Sequence, residues 1–137
     1  MLKPPESPLA DGGESAFKGK TGLGRIVRAC AHSAAGLEEA FRHESAFRQE
    51  ILLAVVLMPI ACIVSVSVAE RVLLIGSMLL VIIVELLNSS VEAAIDRISL
   101  DHHSLSKRAK DIGSAAVFMS LVLLAVVWGM ILLPRLF

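Results

Sequence analysis

The feature that most constrains this chain is a run of residues without a single charge, ILLAVVLMPIACIVSVSVA at positions 51–69. An α-helix of this length, rising ~1.5 Å per residue, measures about 28 Å and matches a hydrocarbon core of about 30 Å. Pro59 within the run is compatible with a membrane helix. The run therefore predicts a first membrane span.

Composition supports the same interpretation. Hydrophobic residues make up 55 % of the 137 residues and mean hydropathy is +0.74, which is too apolar for a soluble domain with a polar surface. The formal net charge is zero, from 13 basic and 13 acidic residues, so no basic excess indicates nucleic-acid binding. We predict a small integral membrane protein that binds no nucleic acid.

Two more apolar segments, residues 72–87 and 112–133, predict a second and a third span. Glu70 and Arg71 would form a very short turn between the first two spans. Pro134 would end the third, because proline cannot continue a helix.

The residues before the first span predict two different segments. Residues 23–50 carry apolar side chains at alternating steps of four and three, which indicates an amphipathic helix along the membrane surface. Residues 1–22 are rich in Pro, Gly, Ser and charge and predict a disordered tail. The predicted fold class is therefore an all-α membrane protein, with a surface helix and three transmembrane helices in one domain over residues 23–137.

Basic residues predict the orientation in the membrane. Eleven lie before the first span or after the second: Lys3, Lys18, Lys20, Arg25, Arg28, Arg42, Arg48, Arg97, Lys107, Arg108 and Lys110. Arg71 and Arg135 stand alone on the other side. Because basic loops remain in the cytoplasm, the amino terminus and the second loop should be cytoplasmic and the carboxyl terminus outside.

A polar stripe interrupts the second helix. At about 100° per residue, Glu85, Asn88, Glu92 and Asp96 fall on one face. An ionised carboxylate at this depth costs roughly 2.5 kcal/mol or more. The stripe should therefore face protein, a metal ion or a water-filled cleft, or else hold a proton.

A second acidic residue out of place is Glu44, which falls within the apolar stripe of the surface helix. Glu44 and Glu92, from different helices at the cytoplasmic interface, could form an oxygen-ligand Mg²⁺ site. Lys110 and Asp111, at the mouth of the third span, add a cation for phosphate and a further acceptor. The adjacent His102 and His103 lack the spacing of a zinc site and suit either a solvated loop or a polar contact to nucleotide.

These residues stand in sequence blocks that resemble the small bacterial diacylglycerol kinases of the inner membrane. The resemblance extends from about Gly22 to Trp128, and its most specific blocks are ESAFRQE, RVLLIGSMLLVIIVELLNSSVEAAIDRI and LSKRAKDIGSAAV. It implies a homotrimeric bundle of three-span subunits with surface helices. It also implies Mg²⁺-dependent transfer of phosphate from ATP to diacylglycerol at the cytoplasmic face of the inner membrane.

The resemblance implies a role for each matching residue. Glu85 matches the general base and Asn88 the residue between base and metal, while Glu44 and Glu92 match the carboxylates that hold Mg²⁺ on ATP. The nucleotide side further includes Arg25, His32, Asp101, His102, His103, Lys110 and Asp111. The lipid side includes Arg25, Ala46, Phe47, Arg48, Gln49, Glu50, Glu85, Ser114 and Trp128.

The chain departs from the family in the surface helix, where the family often has Tyr, Trp and Lys at the positions of His32, Ala34 and Ala35. Two alternatives stay open from sequence alone. An undecaprenol kinase of the same family would share the stripe. A small proton-coupled transporter could also carry an intramembrane glutamate, although no inverted repeat is visible.

Overall fold

The computed structural model describes residues 23–98 and 103–135, which form helices with no β-strand among them. The elements are α1 (Leu23–His43), α2 (Ser45–Ile63), α3 (Val68–Ile98), α4 (Ser104–Leu132) and a closing 3-10 turn (Leu133–Arg135). Helices α2, α3 and α4 are long and apolar enough to cross a membrane. The predicted all-α membrane fold is therefore confirmed, while the predicted tail, residues 1–22, lies outside the described residues.

The chain divides into two compact parts between Gly36 and Leu37. In the first part, residues 23–36 form the beginning of α1 and are exposed. In the second part, α3 packs against both α2 and α4. The central position of α3 places its polar stripe between the two neighbouring helices.

The core of this bundle is apolar and draws on all three helices. It comprises Ala54 and Ala61 of α2, Leu74, Met78 and Val81 of α3, and Leu124, Trp128 and Ile131 of α4. The indole N–H of Trp128 donates a hydrogen bond to the carbonyl oxygen of Leu74 at 3.2 Å. Because lipid tails are as apolar as these side chains, helix association depends on close packing, which small residues such as alanine permit.

The surface helix predicted over residues 23–50 is interrupted at Glu44. Glu44 has an extended backbone, with φ −100° and ψ 115°, and α2 begins at the next residue. The guanidinium of Arg48 donates to the carbonyl oxygens of Phe41 and Arg42, each at 3.1 Å. These carbonyls belong to the last turn of α1, which lacks partners within the helix. Residues 46–50 therefore belong to the first apolar helix.

The turn between the first two spans also differs from the prediction. It covers residues 64–67, and Glu70 and Arg71 lie within α3. Ser67 and Glu70 form a capping box, since the Ser67 hydroxyl accepts from the Glu70 N–H at 3.3 Å and the Glu70 carboxylate accepts from the Ser67 N–H at 2.8 Å. The Arg71 guanidinium donates to the carbonyl oxygens of Cys62 and Val64. Glu70 and Arg71, which were expected in the turn, therefore lie in the first turn of α3, and their side chains form hydrogen bonds with the connection that precedes it.

Helix α4 starts eight residues before the predicted third span. His103 caps it, because its Nδ1 accepts a hydrogen bond from the backbone N–H of Leu105 at 3.2 Å. At the other end, Pro134 lies in the 3-10 turn that follows Leu132. The α-helix thus reaches beyond the apolar segment at its amino end.

Candidate active site

The candidate site is built on the polar stripe of α3. Glu85, Asn88 and Glu92 follow each other at steps of three and four, so they share one helix face. The side-chain amide nitrogen of Asn88 donates to Oε1 of Glu92 at 3.0 Å. Glu85 is only 3 % exposed, and the other two are half-buried. The stripe therefore lies within the protein at Glu85 and becomes more accessible towards Glu92.

Two carboxylates from outside α3 join it. Glu50 of α2 is buried, its Oε2 has no hydrogen-bond partner among the described residues, and it interacts electrostatically with Glu85. Glu44, at the junction of α1 and α2, is half-buried and also interacts with Glu85, as does Glu92. Four acidic side chains, which we call the carboxylate cluster (Glu44, Glu50, Glu85 and Glu92), are thus gathered within electrostatic range of Glu85.

Within the part of the chain that the structure describes, no cation pairs directly with this cluster. Among residues 23–98 and 103–135, no Lys, Arg or His side chain forms an ion pair with any of its four members. Carboxylates removed from water are costly unless a cation, a proton or hydrogen-bond donors compensate them. The cluster is therefore suited to receive a positively charged or proton-donating ligand.

A lysine lies beside the stripe on α4. The ammonium of Lys110 is 2.6 Å from Oδ1 of Asp96 on α3, and it also interacts electrostatically with Glu92. One turn earlier, Lys107 is 2.6 Å from Asp111 within α4. The ion pair between Lys110 and Asp96 links the two helices at the more accessible end of the stripe.

The opposite side of Asn88 faces α4. Its Oδ1 is buried and has no hydrogen-bond partner in residues 23–98 and 103–135, and a β-carbon built on Gly113 would overlap it. Asn88 and Gly113 also line a cleft of about 440 Å³ between α3 and α4. The other lining residues are apolar: Val84, Leu87, Val91, Ala109, Ile112 and Ala116. Asn88 is thus the polar group at the border between this cleft and the carboxylate cluster.

The sequence of this chain is similar to those of known proteins. The family model described as prokaryotic diacylglycerol kinase matches residues 31–132, which include all of α2, α3 and α4. The chain belongs to the prokaryotic diacylglycerol kinase family.

Similar proteins named diacylglycerol kinase come from several bacteria. The Pseudomonas aeruginosa protein is 56 % identical over 119 residues, covering 87 % of this chain and 97 % of the relative. The Escherichia coli K12 protein is 50 % identical over 115 residues, covering 82 % and 92 %. The Haemophilus influenzae protein is 46 % identical over 112 residues, covering 82 % and 95 %. The predicted family is confirmed, and so is the prediction of an enzyme of the kinase class.

The structure brings together only part of the predicted site. The residues gathered around Glu85 or beside the stripe are Glu44, Glu50, Asn88, Glu92 and Lys110. Asp111 instead pairs with Lys107 on the exposed surface of α4, and its role remains a prediction. Trp128 lies elsewhere, because its partner Leu74 is eleven residues from Glu85 along α3, about 16 Å at ~1.5 Å per residue. The role predicted for Trp128 on the lipid side remains a prediction.

The remaining predicted residues lie in varied surroundings. Arg25 and His32 are exposed on α1 in the first part of the chain, and Ala46, Arg48, Gln49 and Ser114 are exposed in the second. Phe47 is buried, and His103 caps α4. Asp101 and His102 lie outside the described residues. Their roles, too, remain predictions.

A Mg²⁺ ion bound together with nucleotide would need few ligands from the protein itself. In the described part of the chain, no three His, Cys, Asp or Glu side chains form a metal-ligand group. Mg²⁺ at kinase sites needs only one or two carboxylates, because waters and substrate phosphates complete its six oxygen ligands. Glu44 and Glu92 each interact electrostatically with Glu85, and their role as metal ligands remains a prediction.

Two residues of this region had no predicted role. Asp96 was recognised as part of the stripe, but its pairing with Lys110 joins residues 14 positions apart on different helices. Gly113 is a single glycine in an apolar sequence, and nothing in the sequence indicates that the Asn88 side chain occupies the space beside it.

Proposed function

We propose that this protein transfers the γ-phosphoryl group of ATP to the primary hydroxyl of diacylglycerol and so forms phosphatidic acid. The observation that carries the proposal is the carboxylate cluster around Glu85, which has no ion-pair partner in the described part of the chain. The names of the similar proteins support diacylglycerol as the acceptor.

In this proposal Glu85 is the general base. It accepts the proton of the lipid hydroxyl while the hydroxyl oxygen forms a bond to the γ-phosphorus and the bond from that phosphorus to the β,γ-bridging oxygen breaks. ADP leaves with the electron pair of the broken bond. A buried carboxylate suits this role, since general bases require a fixed position within hydrogen-bond reach of the proton that they remove.

Glu44 and Glu92 would hold Mg²⁺ with the ATP phosphates. When bound, Mg²⁺ neutralises phosphate charge, which is the main requirement of phosphoryl transfer along with positioning. Asn88 would hold the Glu92 carboxylate through its hydrogen bond at 3.0 Å. Lys110, beside Glu92, would contribute positive charge for the nucleotide.

The proposed function also requires a defined membrane and orientation. The protein would lie in the bacterial inner membrane as a homotrimer, with its amino terminus and the connection between α3 and α4 in the cytoplasm. Basic residues concentrate in these two regions of the sequence, which supports this orientation. ATP would then reach the accessible end of the stripe from the cytoplasm, and diacylglycerol would approach within the bilayer.

The test is transfer of ³²P from ATP in mixed micelles that contain both diacylglycerol and undecaprenol, with and without Mg²⁺. Wild type is compared with Glu85→Gln. We expect label in phosphatidic acid, and only with Mg²⁺ and Glu85 present. Label mainly in undecaprenyl phosphate would show that the acceptor is a polyprenol and not diacylglycerol. Label in neither lipid would favour the transporter, which proton flux in liposomes without ATP would then test.

A further inference from the structure

Gly113 differs from the other glycines within the apolar helices. A β-carbon on Gly76 of α3 would meet nothing within 4 Å, and one on Gly129 of α4 would make ordinary contact with Leu133 at 3.8 Å. On Gly113 it would overlap Oδ1 of Asn88 and lie 3.2 Å from Cγ and 3.9 Å from Cβ of the same side chain. The Asn88 side chain therefore occupies the space that a side chain at position 113 would need.

The backbone gives no other reason for glycine at this position. Gly113 lies in the interior of α4, nine residues after its first residue, where alanine favours a helix more than glycine does. The three heavy atoms nearest to its hypothetical β-carbon all belong to Asn88. The advantage of glycine here is thus local and concerns a single neighbouring side chain.

That neighbour connects α4 to the proposed metal site. Asn88 contacts Gly113 through its amide oxygen side and donates from its amide nitrogen to Glu92 at 3.0 Å. Its Oδ1 has no hydrogen-bond partner in the described part of the chain, where the hydrogen bond to Glu92 and the fit against Gly113 both orient the amide. A shift of the amide away from α4 would strain or break the bond to Glu92.

We propose that Gly113 is a positioning residue of the active site: it admits the Asn88 side chain against α4 and thereby fixes the Glu92 carboxylate for the metal. This inference rests on the proposed function, in which Glu92 is a metal ligand. Partners that orient a metal ligand commonly change metal affinity or activity by about 10- to 100-fold when they are removed. Gly113 acts one step further out, through Asn88.

The test measures metal binding directly, with the full chain in detergent micelles. Mn²⁺ replaces Mg²⁺, its binding is followed by electron paramagnetic resonance, and a non-hydrolysable ATP analogue is present. The variants are Gly113→Ala, Asn88→Ala, the double variant of these two, and Glu92→Gln. Gly129→Ala is the matched control, because it makes the same change in the same helix without overlap.

We expect Gly113→Ala and Asn88→Ala each to weaken Mn²⁺ binding by about tenfold or more, and Gly129→Ala by less than about twofold. In the double variant, binding should be no weaker than with Asn88→Ala alone, since the added methyl group then has nothing to displace. If Gly113→Ala does not fold, the comparison of the double variant with Asn88→Ala serves as the test. The double variant lacks the Asn88 amide, so the methyl group of Ala at position 113 has nothing to overlap.

Two results would overturn the inference alone: wild-type Mn²⁺ affinity in Gly113→Ala, or a further loss when Gly113→Ala is added to Asn88→Ala. A different result would overturn the metal site of the proposed function and this inference with it. That result is Mn²⁺ binding that Glu92→Gln leaves unchanged.

Discussion

The ammonium group of Lys110 on α4 lies 2.6 Å from Oδ1 of Asp96 on α3. This ion pair places a positive charge beside Glu92, which is more accessible than Glu85. The pair is partly exposed, at 38 % and 50 % of the two side chains, so its contribution to stability is expected to be small. Its greater importance would be to hold a cation where nucleotide phosphates arrive.

Replacing this lysine should therefore affect nucleotide binding. We expect Lys110→Met to raise the KM for ATP by roughly tenfold, the size expected for the loss of a hydrogen bond to a charged group. Lys107→Met is the control, because Lys107 has a similar ion pair within α4 but is 79 % exposed. Steady-state kinetics at saturating diacylglycerol measure both. Equal KM values for the two variants would show that Lys110 has no special role.

The buried position of Glu85 leads to a prediction about turnover. Glu85→Gln keeps the size of the side chain but removes its ability to accept a proton, so kcat should fall by roughly 10²- to 10⁴-fold. The KM for ATP should change little, since Glu85 is not assigned to the nucleotide. Glu39→Gln, on an exposed part of α1, should retain wild-type rates. A Glu85→Gln variant with wild-type kcat would exclude the role of base.

The carboxylates Glu44 and Glu92 lead to a prediction about metal. Glu44→Gln and Glu92→Gln should each raise the Mg²⁺ concentration for half-maximal activity by about tenfold or more, because each change removes one anionic ligand. The measurement is a Mg²⁺ titration at constant free ATP, again beside Glu39→Gln. An unchanged titration for either variant would remove that residue from the metal site.

Trp128 allows a distinction between a structural and a lipid-binding role. Its N–H donates to Leu74 within the core, so Trp128→Phe should lower the free energy of unfolding by about 1 kcal/mol. Trp128→Ala should lower it by about 3–5 kcal/mol through the cavity left behind. Unfolding in detergent micelles measures both values. A raised KM for diacylglycerol in Trp128→Phe, with unchanged stability, would instead support a contact with the lipid substrate.

Some features of the fold followed directly from sequence patterns. Uncharged segments of sufficient length indicate membrane helices, because a bilayer requires about twenty apolar residues to satisfy the backbone within one helix. Helical spacing also placed Glu85, Asn88 and Glu92 on one face, since that relation depends only on the geometry of a single helix. Both predictions depend only on residues within one helix, and the local sequence determines them.

The ends of the helices depended on side chains reaching the backbone. The break at Glu44 is held by Arg48, and the start of α3 by the capping box of Ser67 and Glu70. A charged residue at the edge of an apolar segment suits a helix end and a turn equally well, so hydropathy alone could not assign these positions. The hydrogen bonds from these side chains to the backbone determine where each helix ends.

The sequence by itself determined the class of the fold, the number of apolar helices and the polar face of α3, because all of these follow from local periodicity and composition. Only the tertiary structure brought Glu50 of α2 to Glu85, joined Lys110 to Asp96 and set Asn88 against Gly113. These relations depend on how far each helix is rotated and shifted against its neighbour. Close packing between whole helices sets that rotation and shift, and no short stretch of sequence encodes it.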